Sequence, residues 1–423
     1  MAISHLYPNQ RPTVVFDFAK SKTLDPRLTF IRDTTGTYVG TDGLIKTAAA
    51  GEARFDHDPI TGDSLGLMLE YQFTNLVTYS EDFSNAAWTK DNITVSANNA
   101  VAPDGTTTAD LIYPSSTGSA RTIYQNFNNA DGTYTVSFFV KAAGLNWAFI
   151  YNAQGNAKAW FNLNTGTKGS ADTPFITDYG MVAYPNGWYR CWVRTDNTTA
   201  RYIFIGPADG DNSTAVTKSG TNGIYVWGAQ FEGTASSVPQ WRISRLTSYI
   251  PSTGSSQTTR NYDQCKLEGT NFTNIFPGAG SDATFHYELR AGLGDHWAND
   301  SQIYWNFGLG TNNFIYAYQS SQTQVNNIII AGGNLSLAGQ TVANDDHING
   351  VCALKSGTTF KSKINGGTLK EDTSSVPAMP ACTYLAFGQY NSTYLKSRTS
   401  FRMSRFAYYP FFMTDDELTG LGT

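Results

Sequence analysis

Apolar and polar residues alternate along this chain with a period of two, and almost nowhere with the 3.6-residue period of a helix. In "TYTVSFFVK", Tyr134, Val136, Phe138 and Val140 fall on one face, with Thr135, Ser137 and Lys141 on the other. In "IYVWGAQF", Tyr225, Trp227, Ala229 and Phe231 face one way, and Ile224, Val226 and Gln230 the other. Both faces of that segment are apolar near its start, which predicts a strand central in its sheet. Gly, Asn and Asp turns separate such runs at spacings of about 8 to 12 residues, as in a sandwich or jelly roll. The predicted fold class is all-β: two β-sandwich domains after a short strand-rich N-terminal arm.

The pattern divides the chain into four parts. Residues 1–73 hold the strand "TVVFDF", a turn-rich stretch and the closing strand "LMLEY". Their apolar residues are too scattered for a core of their own, so this arm should pack on a neighbour, either the next domain or another subunit. Residues 74–250 form the first sandwich, 251–279 a linker opening on the Ser/Thr/Gly-rich "PSTGSSQTTR", and 280–423 the second sandwich. In "KINGGTL", Asn365-Gly366 suits a type I′ hairpin turn. Near the end, Thr414 and Glu417 fit a capping box for one short helix.

Composition narrows the function. Charged residues make up 15% of the 423, against about 25% in ordinary soluble domains. The surface is thus polar but sparsely charged. The net charge of −5 comes without a lysine or arginine cluster, so no nucleic-acid partner is expected. No apolar run approaches the roughly 20 residues of a membrane span. The opening "MAISHLYPNQRPTVVFDF" has no charged n-region followed by an apolar stretch, which predicts synthesis and folding in the cytoplasm. Cys191, Cys265, Cys352 and Cys382 are widely spaced and read as free thiols, with a Cys352–Cys382 bridge as the minor alternative. No cofactor or metal motif is present.

Candidate binding residues come from aromatic strands and one loop. If "WYRCWVR" is a strand, Trp188, Arg190, Trp192 and Arg194 share a face, with Tyr189, Cys191 and Val193 lining the core. In "KAWFNL", Trp160 and Asn162 oppose the core-like Ala159, Phe161 and Leu163. Indole rings beside guanidinium and amide groups suit sugars, whose C–H faces stack on rings while hydroxyls take hydrogen bonds. The competing reading is that the arm or a partner subunit covers these tryptophans. The loop "GLGDHWANDSQ" adds His296, Trp297 and Asn299 as further glycan contacts, or is simply a tethered surface loop. Asp209 and Asp211 in "ADGDNST", and the run Asn344 to His347, could offer oxygen ligands to calcium, but neither has the D-x-D-x-D-G spacing.

Chemistry is harder to place. Glycoside hydrolysis needs two carboxylates across one bond, and Glu288 in "FHYELR" stands alone while Glu81 and Asp82 would point to opposite faces of a strand. No G-x-S-x-G, phosphate loop or zinc-spaced histidine pair appears. The chain reads as a non-enzyme with no catalytic residues.

Three stretches resemble known families. The segment from "TNLVTYSEDFSNAAWTK" to "YVWGAQFEGTASSVPQWRISRLTSYIPSTGSS" resembles the carbohydrate-binding-module-like jelly roll of tailed-bacteriophage structural proteins. The end, with "FRMSRFAYYPFFMTDDEL", resembles a concanavalin A-like sandwich, and "FDFAKSKTLDPRLTFIRDTTGTYVGTDGLIK" resembles the opening of phage and cyanophage fibre-type proteins. The hydrolytic members of the concanavalin A-like group carry E-x-D-x-x-E on one strand, and that string is absent here. The resemblance implies a virion surface protein in a fibre or spike, joined to other virion proteins through its N-terminal arm. It also implies contact with host-surface glycans and a homo-oligomer, a trimer first. Capsid decoration or scaffolding without receptor binding is the leading alternative, and a polysaccharide depolymerase the more distant one.

Overall fold

The computed structural model describes residues 11–127, 132–152, 157–172, 176–198, 202–233, 246–291, 302–309, 313–321, 324–332, 334–341, 347–388 and 400–422. Within them the chain is all-β, built as two sandwiches of antiparallel sheets. Each sandwich closes over its own apolar core, because alternation gives every strand one face to bury.

The jelly roll pairs two six-stranded sheets. One runs in the order Ile176–Tyr184, Trp188–Thr198, Gly132–Ala143, Gly223–Gly233, Ala109–Pro114 and Ile93–Ala100. The other runs Thr167–Ala171, Ala157–Asn162, Trp147–Asn152, Tyr202–Ala208, Thr122–Asn126 and Thr89–Asp91. Tyr134, Val136, Phe138 and Val140 are buried in the shared core, as their alternation requires. The Gly223–Gly233 strand departs from its predicted faces. Ile224 and Val226 lie in the core together with Ala229 and Phe231, while Trp227 packs on the opposite side. Gly228, at φ +60°, is the cause: an extra residue there opposes Ser137–Phe139 and inverts the parity of the strand.

The second sandwich draws on both ends of the chain. One sheet runs Lys370–Asp372, Thr359–Ile364, His347–Lys355, Ala283–Ala291 and Phe401–Tyr409. The far edge of Phe401–Tyr409 is shared by Val14–Asp17 and Ser64–Leu69, and Arg54–His57 pairs beyond the latter. The facing sheet begins with Thr29–Ile31 and Gln264–Glu268, then Tyr384–Gly388, and continues through three hairpin-connected strands to Asn334–Thr341. Parts of the segments assigned to an arm (1–73) and to a linker (251–279) are therefore strands of this sandwich, while Gly36–Val39 with Ile45–Ala48, and Phe73–Asn75 with Thr258–Arg260, form two-stranded sheets of their own. Val14, Phe16, Leu67, Cys265 and Leu267 are all buried in its core. Asn365 and Gly366 take φ values of 46° and 69°, and Thr414 caps the Asp415–Leu421 helix through a complete capping box. All four cysteines are free and buried.

The junction of the two sandwiches is polar and holds a buried cluster of charges. Arg54 Nη1 donates to Glu70 Oε2 at 2.7 Å and its Nη2 to Asp263 Oδ2. Arg32 Nη1 reaches Asp263 Oδ1 at 3.0 Å, and Arg260 Nη1 lies 3.2 Å from Glu70 Oε2. Ser248, on the segment leaving the jelly roll, donates to both oxygens of Glu70. All five charged side chains are at most 2% exposed. The flanking guanidinium groups hold the Glu70 carboxyl well below the usual glutamate range against the opposing effect of burial, the largest single influence on it. Above the cluster, Ile45 of the Gly36–Ala48 hairpin packs with Phe139, Trp188, Trp227 and Tyr249.

Candidate functional site

The four strand residues singled out as glycan contacts fall on opposite outer faces of the jelly roll. Arg190 and Trp192 lie on the face that meets the rest of the chain. Arg190 is 3% exposed, donates from Nη1 to the Thr247 carbonyl at 2.7 Å and stacks over Phe139 at 5.2 Å. Trp192 is 7% exposed and lies across Gly180 of the neighbouring strand. Arg190 is buried in the junction instead of facing solvent, because residues 246–250 pack on that sheet, and Trp192 is buried against the neighbouring strand. Trp160 and Asn162 lie on the other sheet. Trp160 is 3% exposed and donates Nε1 to the Ser213 carbonyl at 2.7 Å, while Asn162 Oδ1 accepts the Asn164 and Thr165 amides of its hairpin turn. Residues His296, Trp297 and Asn299 lie outside the described residues.

The sheet that carries Trp160 has an outer face lined with rings. Its inward residues, among them Ile123, Ile150, Ala159, Ile203 and Ile205, fill the core. Alternation then turns Tyr124, Tyr151, Lys158 and Phe204 outward. Register brings these into one row across four strands: Tyr124 pairs Phe204, Phe204 pairs Tyr151, and Tyr151 pairs Lys158. At about 4.8 Å between strands, the row spans roughly 14 Å. Ring centroids are 4.7 Å apart for Tyr124–Phe204 and 4.4 Å for the stacked Tyr151–Phe204 pair. Tyr202 joins from the next register position, 5.7 Å from Phe204. Lys158 Nζ stands 5.0 Å from the Tyr151 ring, within cation–π range.

These side chains are partly exposed, whereas the next row of the same face is covered. Phe149 and Trp160 lie beneath the loop of residues 209–217, which reaches Trp160 through Ser213 and is tied down where Asp211 accepts the Ser170 amide and hydroxyl. Asp209 accepts the Thr217 amide and hydroxyl, which stabilises the loop's far end. Both carboxylates, read from sequence as calcium candidates, thus serve as turn acceptors. Among the described residues no group of three or more His, Cys, Asp or Glu is placed to hold a metal ion. Burial raises the Tyr151 phenol and lowers the Lys158 ammonium, the latter opposed by Asp172.

The row was not legible as a site, although its parts were. The segments "TIYQN", "WAFIYN" and "YIFIG" each carry an aromatic ring on the non-core face, and that ring was the available signal. As for acidic chemistry, Glu81 accepts from the Tyr249 hydroxyl at 3.0 Å, and Glu288 lies 3.7 Å from His286 and 3.9 Å from Arg405. Those carboxylates are engaged in structural contacts.

No family model matches the chain, and no curated protein sequence matches it. Similar solved structures cover about a third of it. The CBM40 module of Ruminococcus gnavus IT-sialidase bound to α2,3-sialyllactose is 14% identical, with a TM-score of 0.30, over 34% of this chain and 83% of that one. The NanB sialidase from Streptococcus pneumoniae is 12% identical at 0.31, over 37% and 26% respectively. A botulinum neurotoxin type C structure is 6% identical at 0.30, over 38% and 39%. Identities this low and scores this small leave the site's chemistry to its own residues.

Proposed function

We propose that this protein is a non-enzymatic surface component of a tailed-phage virion that holds host-surface glycans on the outer face of its jelly roll. The row Tyr124–Phe204–Tyr151–Lys158 carries the binding part of this reading. Its rings sit side by side, partly exposed, on rigid strands, and such a surface accepts the C–H face of a sugar without rearranging. The phenol hydroxyls and Lys158 at the rim supply hydrogen bonds to sugar hydroxyls. An open face of this kind binds weakly per copy, so adhesion rests on several copies acting together, as a trimer provides. The virion part rests on the sequence resemblance to fibre-type proteins. There the N-terminal segment braces the two sandwiches and contributes to contacts with other virion proteins.

The test is a glycan array, followed by binding of purified protein to host envelope polysaccharide. Tyr151→Ala and Phe204→Ala should each weaken binding roughly two- to twelve-fold, the loss of about 0.5–1.5 kcal/mol of ring stacking. Tyr262→Ala, at a 38% exposed ring outside the row, should leave it unchanged. Equal binding by all three variants, or none by the parent protein, overturns the assignment.

A further inference from the structure

A cavity of about 200 Å³ lies between the two sandwiches, on the other side of the jelly roll from the aromatic row. Val39 and Met68 of the N-terminal strands and Tyr184 of the jelly roll give it an apolar and aromatic wall. Two arginines of the second sandwich, Arg290 and Arg402, line it as well. Arg402 spends only its Nε, on Asp56 Oδ2 at 2.9 Å, so among the described residues both terminal amino groups lack a partner. The Arg402 side chain is 20% exposed, and the Arg290 side chain is exposed with no hydrogen bond or ion pair among the described residues, its charge reaching the Asp58 carboxylate of the same lining. Asp56 is satisfied on both oxygens, by Arg402 and by the Val39 amide at 2.8 Å.

His57 completes the arrangement. It is 4% exposed, and its Nδ1 sits 3.0 Å from the Val39 carbonyl. A carbonyl only accepts, so Nδ1 carries a proton, and in the neutral ring Nε2 is the acceptor. That Nε2 is buried without a partner. The described lining sets three guanidinium groups (Arg190, Arg290 and Arg402) against two carboxylates (Asp56 and Asp58), which leaves one positive charge in excess.

We propose that this cavity is a second ligand site and that it takes a carboxylate-bearing monosaccharide unit. The free donors of Arg402 and Arg290 match the two oxygens of a carboxylate, a pairing that planar guanidinium groups favour over point contacts. The sugar ring lies against Met68 and Tyr184, and a ring hydroxyl donates to His57 Nε2. The site is independent of the aromatic row, which lies on the outer face of the other sheet.

Isothermal titration of the full chain with D-glucuronate, D-glucose and inorganic phosphate tests the assignment. Glucuronate should bind, with glucose and phosphate each at least about tenfold weaker, and Arg290→Ala and Arg402→Gln should each weaken glucuronate roughly tenfold or more. Arg290→Ala removes an exposed, unpaired side chain, so it keeps the fold even where Arg402→Gln loosens Asp56. Tyr151→Ala should not alter glucuronate binding, which separates this site from the aromatic row. Absence of glucuronate binding, equal binding of glucose or phosphate, or indifference to Arg290→Ala overturns the proposal.

Discussion

Replacing Arg54 with methionine tests what the buried charge cluster does. Methionine keeps much of the side chain's length and apolar volume, but it takes one guanidinium away from both Glu70 and Asp263. Removing one member of a buried ion pair costs about 3–5 kcal/mol, because a desolvated charge loses its compensation. Here neither carboxylate is stranded, since Arg32 stays on Asp263 at 3.0 Å and Arg260 on Glu70 at 3.2 Å. The loss therefore falls at the lower end, about 3 kcal/mol. With about 2–4 °C of Tm per kcal/mol for a unit of 150–250 residues, the transition of the second sandwich should fall by roughly 6–12 °C. Scanning calorimetry of the full chain measures this. Arg27→Ala is the control: its pair with Asp25 is equally short, at 2.8 Å, but the side chains are 38% and 26% exposed, so it should change stability by at most about 1 kcal/mol. Adding Glu70→Gln to Arg54→Met should recover part of the loss, because the under-compensated carboxylate is gone. If Arg54→Met shifts Tm no more than Arg27→Ala does, the cluster does not hold the junction and the reasoning fails.

Three further outcomes follow from the same packing. Glu70 titrates lower in the folded state than in the unfolded chain, so its contribution is complete above the ordinary glutamate value of 4.5 and is lost as pH falls below it. Tm should consequently drop on acidification below about pH 4.5, and Glu70→Gln should start lower at pH 7 yet show a shallower acid slope. The four cysteines are buried, and burial pushes their thiols up. A thiol reagent such as Ellman's should find no reactive groups in native protein and four in guanidinium, and fast labelling of native protein would contradict the packing. Gly66 adopts φ +96°, and a Cβ there would come 2.2 Å from the Met403 carbonyl oxygen. Gly66→Ala should lower the urea midpoint by more than about 1 kcal/mol of stability, and an unchanged midpoint would mean that strand does not seat on Phe401–Tyr409 as described.

Much of the fold was legible because alternation is a local signal. "TYTVSFFVK" lies on one strand with its predicted core face inward, and the Asn365-Gly366 turn and Thr414 cap are fixed by their own side chains and backbone angles. What alternation cannot give is a partner. Val14 pairs Tyr408 across nearly the whole chain, and nothing in "TVVFDF" names that neighbour, so the arm reads as a separate segment until the sheet is seen. Parity is equally fragile. One extra residue at Gly228 exchanges the faces of Tyr225 and Trp227 relative to Ala229 and Phe231, and only the opposing strand reveals the bulge. Arg190 and Trp192 were correctly grouped on a shared non-core face. The cover that buries Arg190 comes from Thr247, 57 residues further on.

The same limit explains why the aromatic row emerges only from the register of three strands, and its chemistry bears on what covers it. The loop of residues 209–217 closes over Phe149 and Trp160, the part of the face whose one polar group, the Trp160 Nε1, is satisfied by Ser213. Beyond it, Tyr124, Tyr151 and Tyr202 surround Phe204, so three of the four rings end in hydroxyls. A buried hydroxyl without a partner costs about 1–3 kcal/mol, so a dry protein partner on this row would have to supply three matched hydrogen bonds as well as apolar surface. A glycan meets the same demand with its own hydroxyls and a layer of water, while its C–H face takes the rings. The row therefore favours a wet, hydroxyl-rich occupant over a tightly packed subunit. Burial of the Tyr151 phenol keeps it protonated and able to donate to one.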